Sequence, residues 1–267
     1  MEQNFDELLV RLQAASPDER YDLVKQIGDL RDRRALDVLL DGMNDENAKV
    51  RYVALSGLVK LGNPDAAYPV IRHLLANLNS QLWHLLKLDL GMRLRNGLFQ
   101  WVALTEDHVA TMLKTAFHNP ELDEGQRAFV VRLIGRTGDA ELADTFLAML
   151  HNGSDLMRAS TAEALGYLKH LPALEYMKAQ VHHEESAMRE IMMRSMVLMG
   201  GDGVGDVLLP MLESEDEWTR RASIVSLAEL GDRRAVRKIM RMQREDESNL
   251  VRQVADEALK KLILSGH

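Results

Sequence analysis

The stretch Glu46–Leu75, ENAKVRYVALSGLVKLGNPDAAYPVIRHLL, decides the fold. Counted from Arg51, apolar residues fall at +3 (Ala54), +7 (Leu58) and +10 (Leu61), which is one stripe of an α-helix. Gly62 follows at +11, where a helix end wants a left-handed residue, and Asn63-Pro64 carries on as a turn. A second apolar stripe begins at Ala66/Ala67 and returns at Val70, the mark of a second helix. Asn44-Asp45-Glu46 precede the unit, and such residues cap a helix N-terminus and favour its dipole. The unit therefore reads as helix, tight turn, helix, capping turn.

The same unit recurs along the chain. Arginines stand at Arg20, Arg51, Arg127, Arg158, Arg189, Arg220 and Arg252, spaced by 31 or 32 residues except across one gap. The long gap after Arg51 holds another repeat with Trp83 in the arginine slot, plus about a dozen extra residues. Position +3 is Leu23, Ala54, Leu86, Val130, Thr161, Met192, Ser223 and Ala255; small residues there let helices approach closely. Position +7 is Ile27, Leu58, Leu90, Ile134, Leu165, Met196, Leu227 and Leu259, and +10 is mostly Leu, as at Leu30. Since one helix pair cannot bury its apolar face alone, a period of this size predicts a stacked array. The expectation is an all-α, right-handed α-α superhelix of about eight helix pairs. It forms one solenoid over residues 1–267, with an irregular insertion at about 92–106.

The pattern D-x-x-V-R-x-x-A-x-x-x-L-x-x-L-G-D, clearest at Asn47–Gly62 and Asp216–Asp232, resembles HEAT repeats of the short bacterial type, which also occur in phycobilisome lyase subunits. The resemblance covers nearly the whole chain. It implies that each repeated arginine pairs with an acidic group in an adjoining turn, and that the arginine helices line a concave surface. Such arrays serve as scaffolds, adaptors, lyases and a few metal enzymes, so function has to be argued from the site.

Composition narrows the classes. A net charge of −8 argues against bulk phosphate-driven nucleic-acid binding. With 46% hydrophobic but only 5% aromatic residues, the core has to be aliphatic. No cysteine is present, which removes disulfides and thiolates and suits a reducing, cytoplasmic setting. MEQNFDELL lacks a signal-peptide pattern, and no apolar run approaches membrane-spanning length.

Candidate binding residues follow from the faces and the breaks. Positions +1, +5 and +9 of the arginine helices point to solvent. Across the middle repeats they include His84, Arg132, Arg136, Tyr167 and Arg194, a locally basic set suited to an acidic segment of a partner. The insertion RLRNGLFQWVALT carries Phe99 and Trp101, and aromatic side chains anchor partners.

Catalytic sets are sparse. His182-His183-Glu184-Glu185 is a single His-Glu pair with no equivalent in another repeat, and adjacent histidines on a helix point about 100° apart. Gly200-Gly201-Asp202-Gly203-Val204-Gly205 follows a helix rather than a strand, so it reads as an inter-repeat turn and not a phosphate loop. Met192, Met196 and Met199 fall on the core stripe. The favoured function is a non-catalytic scaffold or adaptor that binds another protein, with no cofactor or metal. The resemblance also allows a bilin lyase-like subunit acting on a phycobiliprotein and, against the acidic charge, a nucleic-acid-binding alkylation-repeat-like protein.

Overall fold

The computed structural model describes residues 5–62, 64–79, 81–86, 89–104 and 107–264. Asn63 and residues 105–106 of the expected insertion lie outside the described residues, as does the side chain of Leu90. Among the described residues all regular structure is helical, seventeen α-helices with short 3-10 turns, as the 3.6-residue periodicity predicts. The helices fall into two compact units, residues 1–122 and 123–267.

The N-terminal unit holds α1 (Phe5–Gln13), α2 (Pro17–Asp29), α3 (Ala35–Gly42), α4 (Ala48–Leu61), α5 (Ala67–Ala76), α6 (Gln81–Leu85), α7 (Asp89–Trp101) and α8 (Asp107–Phe117). α2 starts at a capping box in which Ser16 and Glu19 satisfy each other's backbone N–H. It packs on α1, α3 and α4. α4 starts where the Asn47 side chain accepts from the Lys49 N–H. The C-terminal unit holds α9 (Glu124–Thr137), α10 (Ala143–Asn152), α11 (Asp155–Leu168), α12 (Leu171–Gln180), α13 (Ser186–Met199), α14 (Val204–Met211), α15 (Glu217–Leu230), α16 (Val236–Glu245) and α17 (Asn249–Leu264). Here α9, α11, α13, α15 and α17 stack in sequence, while α10, α12, α14 and α16 each pack on the helix that follows.

The stripes land where periodicity puts them. Every +3 residue from Leu23 to Ala255 is buried, and so is every described +7 side chain. The +10 slot is weaker: Leu30 is 38% exposed, and Leu61, Leu168 and Leu230 are only half-buried, because the last helical turn reaches the rim of the stack. Close approach also differs from expectation. Its small residues sit at +8 of one helix facing +6 of the next, not at +3. A Cβ on Gly28 would lie 2.9 Å from Gly57 Cα, and one on Gly135 2.5 Å from Ala164 Cα. The +3 residue instead points between the helix layers: a Cβ on Gly42 of α3 would meet Ala54 Cβ at 2.9 Å.

The +11 turn is a rule of the backbone rather than of glycine. Arg31, Gly62, Gly138, Lys169, Gly200 and Gly231 all have φ between 52° and 78°. Four of these residues are glycines that adopt this conformation without a Cβ penalty. Arg31 and Lys169 adopt it against their own preference, so the stack imposes the turn.

Residues 92–101 are not irregular. They continue α7, whose Leu94, Leu98 and Phe99 keep a helical spacing and are buried, as is Val102 in the 3-10 turn that follows. The interruption comes earlier. α6 ends at Leu85, and α7 packs on α4. The additional residues thus replace the stacking helix of this repeat instead of projecting from it.

Candidate functional site

Most of the arginine ladder is consumed by the fold. Helices leave carbonyls unsatisfied at their C-terminal ends, and the ladder arginines donate to them. Arg158 Nε donates to the Leu150 carbonyl at 3.2 Å and Arg189 Nε to the Val181 carbonyl at 3.2 Å. Trp83, in the same slot, donates its indole N–H to the Leu74 carbonyl at 3.1 Å, so one donor has been exchanged for another. The guanidinium tips reach acids of the next turn: Arg20 meets Asp45 at 2.8 Å, Arg158 pairs with Glu184, and Arg220 grips Asp246 with two bonds of 2.9 Å. Arg220 also donates to the Ser214 and Glu215 carbonyls at 2.9 and 3.0 Å. Burial raises the Asp246 carboxyl, but hydrogen bonds from Arg220 and the Ser248 N–H outweigh it and hold the group below the ordinary carboxylate range.

The solvent stripe of the first helices holds residues that differ from repeat to repeat. In the N-terminal unit Tyr52, Lys25, Asp29 and Lys60 are exposed. In the C-terminal unit Glu190, Arg194, Val225, Glu229, Gln253, Glu257 and Lys261 are exposed, and among the described +1, +5 and +9 residues only Ala128 is buried.

The candidate residues separate within this frame. His84 is exposed at the end of α6. Phe99 is only 8% exposed, so its ring serves the core and drops out of the surface set. Trp101 is half-buried and folds back on its own helix, its ring 2.8 Å from where a Cβ on Gly97 would stand. Arg132 and Arg136 are not bare cations. Both reach Glu163, at 3.3 and 3.4 Å, and the Arg136 guanidinium lies 3.6 Å from the centre of the Tyr167 ring. That cluster of four side chains ties α9 to α11. Arg194 stands apart from it, exposed on α13. His182 and His183 are exposed, and the carboxylate of Glu184 beside them is taken by Arg158.

Trp218, absent from the sequence-based set, is 53% exposed at the start of α15, with the Arg221 guanidinium 4.7 Å from its ring centre. It sits at −2 from Arg220, a slot that lies over +5 on the helix surface. The signal was available: this slot is polar in the first repeats (Asp18, Lys49) but apolar at Leu156, Ala187, Trp218 and Leu250. Leu156, Trp218 and Leu250 are all exposed.

Paired helices stacked through buried first-helix stripes, with arginines closing the inter-repeat turns, define an α-helical repeat protein. A model of HEAT repeats matches residues 5–82 and 177–260, more than half of the chain. The chain belongs to the HEAT-repeat family. No curated protein matches it in sequence. Among solved structures, it is similar to the complex of CpcE and CpcF of phycocyanin lyase from Nostoc sp. PCC7120. That match has 16% identity and a TM-score of 0.46, covering 98% of this chain and 96% of that one. It is also similar to human deoxyhypusine hydroxylase, with 17% identity and a TM-score of 0.39, covering 85% and 84%.

Proposed function

We propose that the chain is a scaffold or adaptor that binds a protein partner along the solvent stripe of its first helices. One observation carries this reading. The +3 and +7 slots keep their burial from repeat to repeat, whereas −2, +1, +5 and +9, Ala128 apart, stay accessible and vary freely. A repeated frame presenting a non-repeating row of side chains suits recognition of an extended surface. The exposed apolar members of the row, Tyr52, Leu156, Trp218 and Val225, are of a kind that becomes buried on association. Among the described residues no helix is long and apolar enough to cross a membrane.

Site-specific photo-cross-linking in the native organism tests the reading. A photoreactive residue at Tyr52, Arg194 or Val225 should capture a discrete protein. The same probe at Arg72 or Arg237, exposed on second helices, should not. Cross-links confined to the second helices would overturn it.

A further inference from the structure

The first-helix surfaces of α13, α15 and α17 enclose a groove of about 330 Å³. Its lining includes Trp218, Ala222, Val225 and Val254, and Trp218 and Val225 are 53% and 43% exposed. Two cations also line it. Arg221 lies against the Trp218 ring, and its Nε is buried without a hydrogen-bond partner. Arg194 lines the groove from α13 and makes no ion pair among the described residues. This sets them apart from Arg132 and Arg136 on α9, which share Glu163, and from the ladder arginines, whose described partners are carbonyls, turn carboxylates, the Thr219 hydroxyl and the Asn249 side-chain amide.

We propose that the groove around Trp218 is a docking site for a short acidic-apolar segment of a protein partner. An aliphatic or aromatic side chain of that segment covers Trp218 and Val225, while a carboxylate beside it accepts from Arg194 and Arg221. The proposal rests on the protein-binding reading above and gives it a place and a ligand chemistry. The groove's own carboxylates decide against a polyanion such as nucleic acid. Glu190 lies one turn before Arg194 and Glu229 two turns beyond Arg221, so a continuous run of phosphates would meet both. A segment with one central acid flanked by apolar residues meets neither. The exposed Leu156 and Leu250, in the Trp218 slot of α11 and α17, continue the apolar row on both sides.

The test uses the full chain and a displayed library of short random peptides. Selection on the wild type should enrich Asp or Glu next to Leu, Phe or Trp. The selected peptide, made synthetically, should bind at least about tenfold more weakly to Trp218→Ala, the usual loss at an interface anchor. Arg194→Gln with Arg221→Gln should cost at least about tenfold, and so should changing the peptide's acid to its amide. Val225→Glu serves as a second variant, since an exposed site leaves the fold intact, and unchanged far-UV circular dichroism checks each chain. Failure to enrich, basic or purely apolar consensus peptides, or equal affinity for a folded Trp218→Ala would each overturn the proposal. So would self-association that disappears in Trp218→Ala, which would make a second copy the occupant. The two readings fail separately. Photo-cross-links from Tyr52 that persist in Trp218→Ala would remove this site and leave the protein-binding role. Absence of every first-helix cross-link would remove that role and leave the peptide result standing alone.

Discussion

At the residue scale, a repeated charge and a repeated function have to be told apart. The ladder arginines recur because each stack junction poses the same problem, open carbonyls and a turn carboxylate close together. Arg220 is the most enclosed: its side chain is 8% exposed and that of its partner Asp246 is 6% exposed. Removing one member of such a pair costs far more than removing both, because the survivor is a buried charge without compensation. Arg220→Met should therefore lower unfolding stability by about 3–5 kcal/mol, whereas Arg220→Met with Asp246→Leu should recover most of that loss. Denaturant titration of both variants checks this. Equal losses would show that the carbonyl bonds to Ser214 and Glu215, not the ion pair, dominate. Trp83 supports the structural role, since an indole keeps the carbonyl donation with no charge at all. At Arg132 and Arg136 the sequence suggested a basic surface, and Glu163 on the neighbouring helix offsets part of that charge. Side-chain identity along one helix does not reveal what the next helix brings opposite.

At the element scale, helix spacing is set by what stands at +6 and +8. α9 offers a comparison within a single helix. A Cβ on Gly135 would fall 2.5 Å from Ala164 Cα, a backbone atom of α11 with no rotamer to yield. At Gly125, in the first turn of the same helix, the nearest atom is the Asp123 carboxylate at 3.3 Å. Alanine gains up to about 1 kcal/mol over glycine in helix propensity, while forcing two helices apart costs about 1–3 kcal/mol. Gly125→Ala should thus be neutral to stabilising, and Gly135→Ala should lower the melting temperature despite its better propensity. A higher melting temperature for Gly135→Ala would place the contact elsewhere. The helices, their turns and the buried +3 and +7 stripes were legible in the sequence because each depends on local periodicity. The +6/+8 contact was not, since it appears only when two helices are laid side by side. The boundary between α6 and α7 was not legible for a related reason. Spacing from Trp83 runs on through Leu86 and Leu90, yet the chain restarts its helix at Asp89 and packs the new one on α4. Trp218 lies outside the +1, +5 and +9 slots, although −2 shares their face from the previous turn.

At the scale of the whole molecule, acid tolerance should differ between the two units, because their depressed carboxylates do different work. In the N-terminal unit these are Glu19 and Asp32, held low by surface bonds to Ser16 and Arg34. In the C-terminal unit they include Asp216 and Asp246, which sit inside the turns that join repeats, and Asp232, in the turn between the two helices of one repeat. Asp216 is raised by burial, but bonds from Thr219 and Ser186 and the N–H groups of Thr219 and Trp218 bring it below its ordinary value. Asp232 is lowered chiefly by the Arg234 side chain. A carboxyl whose folded-state value lies below its unfolded one contributes stability in full above the unfolded value, about 3.9 for Asp. That contribution falls away as the pH drops from there through the folded value. Between neutral pH and about 5 neither unit should change through these groups. Below about 4, hydrogen exchange of α15 and α17 should accelerate before that of α2 and α4, because protonating Asp216 and Asp246 releases Ser186, Thr219 and Arg220 together. Asp246→Asn should flatten the low-pH response of α17 while lowering its protection at neutral pH. Loss of protection in α2 and α4 first, or a response already present at neutral pH, would mean that the turn carboxylates do not govern acid unfolding.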